Sequence, residues 1–289
     1  MKKIFALLLS AALLVTLLAA CGGGNTTDTD TDTQEPAADA STTQVEEQEP
    51  DTGDASKDDP LNQDEIGEKE LLVVSFGTSY NDSRRETIGA IEKAMQTAFP
   101  DYSVRRAFTS QIIIDHVKDR DGVTIDNVEQ ALERAVNNGV KTLVVQPTHL
   151  MNGLEYEELT DELAKYSDSF EKIAIGDPLL TSDADFEAVM TAITDATKDA
   201  ADGKTAICFM GHGTTADSNS VYSKMQTLLT DKGFNDYYVG TVEATPSLDD
   251  VLAAVQKGNY EKVILRPLMI VAGDHANNDM AGDEDDSWK

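Results

Sequence analysis

Short continuous apolar runs, alternating with segments of helical spacing, constrain the fold of this chain more than any other feature. The runs cover residues 71–76, 103–108, 142–146, 172–175, 205–210, 237–242 and 262–266. Each has the length of a strand. Between them Ile88, Ile91, Met95 and Ala98 recur at helical spacing, as do Val128, Ala131, Leu132 and Ala135, and Phe186, Val189, Met190 and Ile193. Strand and helix in alternation predict an α/β fold of parallel βαβ units with right-handed crossovers.

The folded part contains a weak internal duplication. LLVVSFGTS has the pattern of AICFMGHGT, which sets Gly77 and Thr78 opposite Gly213 and Thr214; KTLVVQPTHL pairs with KVILRPLMIV, which sets Pro147 opposite Pro267. Two similar lobes are expected, residues 67–200 and 201–289, each a parallel sheet flanked by helices. Their junction is a favoured place for a small-molecule cleft.

Ahead of these lobes the composition changes twice. Lys2 and Lys3, the apolar stretch 4–18 and the end Leu18-Ala19-Ala20-Cys21 form the pattern of a bacterial secretory signal over residues 1–21. The pattern resembles a lipobox, with Cys21 as the acylated residue, so the chain is expected to be exported and held at a membrane by lipid. Residues 22–66 are rich in Thr, Asp, Glu, Gln, Ala and Pro, with fourteen acids against Lys57 alone between Asn25 and Glu65. Such a tract cannot bury enough surface to offset its ordering entropy and reads as a disordered, self-repelling tether. A net charge of −30 argues against nucleic acid as a partner. Besides Cys21 only Cys208 remains, so no intramolecular disulfide framework is available.

Three of the four histidines, His149, His212 and His275, lie just past the end of an apolar run. The carboxyl ends of the strands are the ligand-binding rim of an open α/β sheet, and imidazole is the commonest side-chain ligand for a transition metal. His116, among helix-like residues, reads as a surface or packing histidine. In SFGTS, Ser75, Thr78 and Ser79 offer hydroxyls beside the amides opening a helix that carries Arg84 and Arg85, an arrangement suited to carboxylate or phosphate. The turn lacks the lysine of a P-loop and the three-glycine dinucleotide fingerprint, so no nucleotide is expected. No G-x-S-x-G nucleophile elbow is present either.

Taken together, SFGTS, RAFTS, the stretch from His149 to Glu157, FMGHG, VEATP, PLMIVAGDHANNDM and DSWK resemble the sirohydrochlorin cobaltochelatases, the anaerobic cobalt chelatases of cobalamin biosynthesis. The resemblance runs from Leu71 to Lys289. It implies the two-lobed architecture of the type II chelatases and insertion of a divalent metal into a cyclic tetrapyrrole without ATP. It also implies that His149 and His212 bind the metal and assist the reaction.

Metal insertion requires two pyrrole N–H protons to leave while a partly dehydrated ion arrives from one face of the ring. Imidazole can hold the ion and can accept a proton. Two imidazoles and a carboxylate suit Co2+, and equally Ni2+, Zn2+ or Fe2+. Asp177 is the first candidate for the carboxylate, against a turn-forming role before Pro178. Glu243 is the second candidate, as ligand, base or substrate contact. His275 is expected to touch the macrocycle or the metal, or else to hydrogen-bond Asp274. Ser75, Thr78, Arg84, Arg106 and Arg266 are candidates for the carboxylates rimming the ring. Asp279, Asp283, Glu284, Asp285 and Asp286 read as a solvated turn.

Two features depart from the family pattern. The exported, lipid-anchored location is unusual for cobalamin synthesis, so an exported haem-, tetrapyrrole- or metal-binding lipoprotein without physiological catalysis is the alternative. The sequence stops at DEDDSWK where the resemblance implies a further strand and closing helix, so the second lobe is expected to be incomplete, with an exposed sheet edge. Nothing in the helices marks a subunit interface, and a homo-oligomer stays open.

Overall fold

The computed structural model describes residues 52–289. The expected signal segment, Cys21 and most of the expected tether lie outside the described residues. Two parallel sheets account for all seven expected strands. The first contains β1 (Lys69–Ser75), β2 (Ser103–Phe108), β3 (Thr142–Pro147) and β4 (Lys172–Ile175) in the order β2-β1-β3-β4. Among the described residues the second contains β5 (Thr205–Gly211), β6 (Tyr237–Thr241) and β7 (Lys262–Pro267) in the order β6-β5-β7. The central strands β1 and β5 are buried on both faces, which is why they read as unbroken apolar runs.

The duplication is present in the register. Val74 of β1 pairs with Pro147, and Met210 of β5 pairs with Pro267, so the two prolines hold equivalent places beside the central strands. Gly77 and Gly213 each follow a central strand with positive φ, +104° and +89°. A Cβ on Gly77 would stand 2.5 Å from the Phe108 ring, so glycine is needed there for space as well as for conformation.

Helices α1 (Asn81–Glu86), α2 (Ile88–Ala98), α3 (Gln111–Asp121), α4 (Val128–Asn137) and α5 (Leu154–Ala164) surround the first sheet. The second is covered by α6 (Asp183–Thr197), α7 (Ser220–Asp231) and α8 (Leu248–Val255). The three expected helical faces are the buried faces of α2, α4 and α6. One assignment changes. Phe186, Val189, Met190 and Ile193 of α6 pack on Ile207 and Phe209 of β5, so this helix completes the second core although it lies within 67–200. The lobe boundary falls before Leu180, which is buried in that same core.

The stretch 52–66, expected as the end of the tether, instead lies on the first lobe. Leu61 is buried with Leu71, Val73, Ile91 and Met95. Asp58 accepts from Arg84 Nε at 2.6 Å and from Arg106 Nη1 at 2.7 Å, and Arg106 also forks onto Glu92 with two 2.7 Å bonds. A charge-rich composition conceals this because Asp58 is neutralised only in the tertiary structure. Arg84 and Arg106 are fully committed to that network and buried, so neither faces a ligand, contrary to the sequence reading. On the other face of the sheet, burial pushes the Glu70 carboxyl up to about 7 even though Arg105 lies beside it.

The lobes meet along the segment that follows β7. Leu268 is buried in the second core, whereas Val271 packs with Ile88, Phe108, Ile113 and Ile114 of the first lobe. The Ala272 N–H donates to Ser83 Oγ on α1 at 3.1 Å. From the other side, Leu150 and Met151 reach the second core, and the Leu179 and Leu180 amides donate to the carbonyls of His149 and Leu150. The ends of the central strands are thereby brought to one junction.

Candidate metal centre

His212 follows β5 between two glycines. A Cβ on Gly211 would meet the Tyr222 ring at 2.1 Å, and one on Gly213 would meet the Ala244 amide nitrogen at 2.8 Å. Close packing of the turn therefore demands both glycines. The Glu243 N–H donates to the His212 carbonyl at 2.9 Å, so the backbone pairing of β5 and β6 extends past the strands and lays Glu243 beside His212. His275 arrives from the interlobe segment at the start of a short π-helix, Ala276–Met280.

These three residues converge. One ligand atom of each of His212, Glu243 and His275 lies within 4.8 Å of the other two. His212 Nδ1 is 3.7 Å from one Glu243 oxygen and His275 Nε2 is 3.8 Å from the other. Two ligands bound to one ion at about 2.1 Å stand at most about 4.2 Å apart, so little movement closes this group on a single divalent ion.

Hydrogen bonds act on the tautomer of each imidazole. The Gly213 carbonyl lies 2.6 Å from His212 Nδ1, the nitrogen that also faces Glu243, so binding an ion beside Glu243 through this atom requires the ring proton to sit on Nε2 and the bond to Gly213 to give way. An Asp279 carboxylate oxygen contacts His275 Nδ1, fixing its proton there and its lone pair on Nε2. That Nε2 is buried and has no hydrogen-bond partner among the described residues. A carboxylate behind a histidine whose other nitrogen faces an acidic partner is the arrangement that orients metal-binding imidazoles.

The other sequence candidates fall elsewhere. Asp177 is exposed and does not belong to the converging group; its charge is felt by Tyr156 instead. Glu243 takes the place expected for it, because β6 delivers Glu243 directly beside His212. His275 bonds Asp279, four residues on, while Asp274 accepts from Asn278. Asp279 is concealed in an acidic run that reads as a solvated turn, and the i, i+4 spacing of His275 and Asp279 in a helical turn is the signal that identifies it. Ser75 Oγ is buried and accepts from Thr148 Oγ1 at 2.9 Å; buried Thr78 Oγ1 accepts from the Tyr80 N–H at 3.2 Å. Both hydroxyls therefore brace the turn, and neither opens to a ligand. Arg266 is exposed on β7, and His116 is exposed on α3 as expected.

His149 stands outside the converging group, on the loop after β3. That loop meets the second lobe, since a Cβ on Gly153 would lie 3.9 Å from Ser218 Oγ. Neither ring nitrogen of His149 has a partner among the described residues, and burial lowers its pKa against the opposing influence of Glu155. The imidazole is thus held neutral, with an unused lone pair.

The family model described as Cobalt chelatase (CbiK) matches residues 69–289. The chain is 38% identical over 221 residues to the Sirohydrochlorin cobaltochelatase of Salmonella typhimurium, covering 76% of this chain and 83% of that protein. It is 31% identical over 223 residues to the Sirohydrochlorin cobaltochelatase CbiKC of Nitratidesulfovibrio vulgaris, covering 76% and 78%.

Proposed function

The chain belongs to the cobalt chelatase family, and on that premise we propose that it inserts Co2+ into sirohydrochlorin without a nucleotide. The observation that carries this reading is the convergence of His212, Glu243 and His275 at the lobe junction. Two neutral imidazoles and one carboxylate bind Co2+ without enclosing it, which leaves coordination positions for pyrrole nitrogens. The carboxylate offsets part of the ion's charge, so the ion can still be released to the ring.

Two protons must leave the ring as the metal enters. His149, neutral and unpartnered, is the residue we assign to accept one of them. Its position on the first lobe, with the metal ligands on the second, suits a flat substrate held between the two. To Glu243, half-exposed beside both imidazoles, we assign the other proton as the metal leaves it.

The test is Co2+ insertion into sirohydrochlorin by the purified full chain, followed by absorbance. Acceleration over the solution rate is expected, with His149→Ala and His212→Ala each losing at least about 100-fold of the rate, the lower end of what a positioned proton acceptor contributes. If both variants insert cobalt as fast as the parent, the assignment fails. Tight Co2+ or haem binding with no acceleration would instead identify a binding protein.

A further inference from the structure

Trp288 is the single tryptophan of the chain, and the proposed reaction leaves it without a task. Its ring lies on the face of the second sheet that α8 covers, packed with Ala206, Cys208 and Val251. It rests on Gly240 so closely that a Cβ there would stand 2.7 Å from its Cη2. Gly240 belongs to β6, the strand that runs on to Glu243. The backbone N–H of Trp288 donates to the Asp279 carbonyl at 2.7 Å, and the Asp279 carboxylate holds His275. Ser287 Oγ adds a bond to the Met280 carbonyl at 3.4 Å. One residue therefore touches both arms of the metal centre, the strand bearing Glu243 and the turn bearing His275.

We infer that Trp288 is a positioning residue that sets the spacing of Glu243 and His275. The inference rests on the reading of His212, Glu243 and His275 as the Co2+ site. The physical need is clear from the turn. A single π-helical turn has no neighbouring turns to hold it, so its orientation depends on what it is anchored to. An indole buries on the order of 150–250 Å2 and is the largest apolar anchor a side chain offers. Gly240 leaves the room the ring needs, since a Cβ there would meet Val251 Cγ2 at 2.6 Å as well as the indole.

The experiment is Co2+ titration of the full chain by calorimetry, with thermal midpoints and the d–d absorption of bound Co2+ recorded alongside. Trp288→Ala is expected to weaken Co2+ binding by about 10- to 100-fold, the range for residues that orient metal ligands, and to alter the d–d bands. Trp288→Phe, which refills most of the site, is expected to recover binding. A purely structural role would lower the thermal midpoint but leave affinity and bands of the folded protein as in the parent, and that result overturns the inference. Should Trp288→Ala fail to fold, Trp288→Leu, which keeps part of the apolar anchor but shortens its reach to Gly240, decides in the same way. If the parent itself binds no Co2+, or His275→Ala binds it as tightly, the metal-site reading is what fails.

Discussion

Replacing Glu243 by glutamine, or His275 by alanine, is expected to lower the rate of Co2+ insertion by at least about 100-fold. Residues that merely orient ligands are worth about 10- to 100-fold in affinity or activity, and a ligand itself is worth at least the upper figure. Glutamine keeps the shape of Glu243 and removes its charge, so the loss would report on charge beside the imidazoles. His275→Ala deletes a buried nitrogen whose lone pair has no protein partner among the described residues. It also strands the Asp279 carboxylate that contacts the other nitrogen. Asp177→Ala is the control: that side chain is exposed and outside the converging group, so near-parental rates are expected. A steady-state comparison of the three variants by absorbance checks the prediction. An Asp177 variant that fails while Glu243→Gln inserts normally would reverse the assignment of the carboxylate.

Arg106→Met is expected to cost about 3–5 kcal/mol of stability, the usual penalty for removing one partner from a buried ion pair. The cause is specific. Glu92 and Asp58 both lose a bidentate cation and are left buried close together, with only Arg84 still on Asp58. Burial already pushes the Glu92 carboxyl upward, and Arg106 is the cation that opposes it. Against a total of about 5–15 kcal/mol for a typical domain, the loss is large. Urea denaturation measures it directly. The folded variant is expected to keep the parental affinity for sirohydrochlorin, because the guanidinium faces the interior. Parental stability combined with lost substrate binding would show that Arg106 reaches the ring after all.

The elements legible in the sequence were those with a strong local pattern. Strands β1 and β5 are buried on both faces and therefore read as continuous apolar runs, and α4 shows its core face at Ala131, Leu132 and Ala135. The three strand-end histidines were visible for the same reason, and His212 and His275 do converge, with rings 5.1 Å apart. What escaped local reading depends on partners distant in sequence. Asp58 sits in an acidic tract and gains its cations from Arg84 and Arg106 only once the lobe has folded. Those arginines, taken alone, look like free anion ligands. The hydroxyls of Ser75 and Thr78 likewise look available until Thr148 and Tyr80 are brought against them. Helix α6 shows which of its faces is buried but not which of the two sheets buries it.

The placement of one ion between His212, Glu243 and His275 is tested most directly by cobalt-edge anomalous diffraction from crystals of the protein equilibrated with Co2+. A single strong peak within about 2.2 Å of both imidazoles and of the Glu243 carboxylate is the predicted result. A peak bound by Asp177 or His149 with none at Glu243, or cobalt found only on the acidic surface, would contradict it.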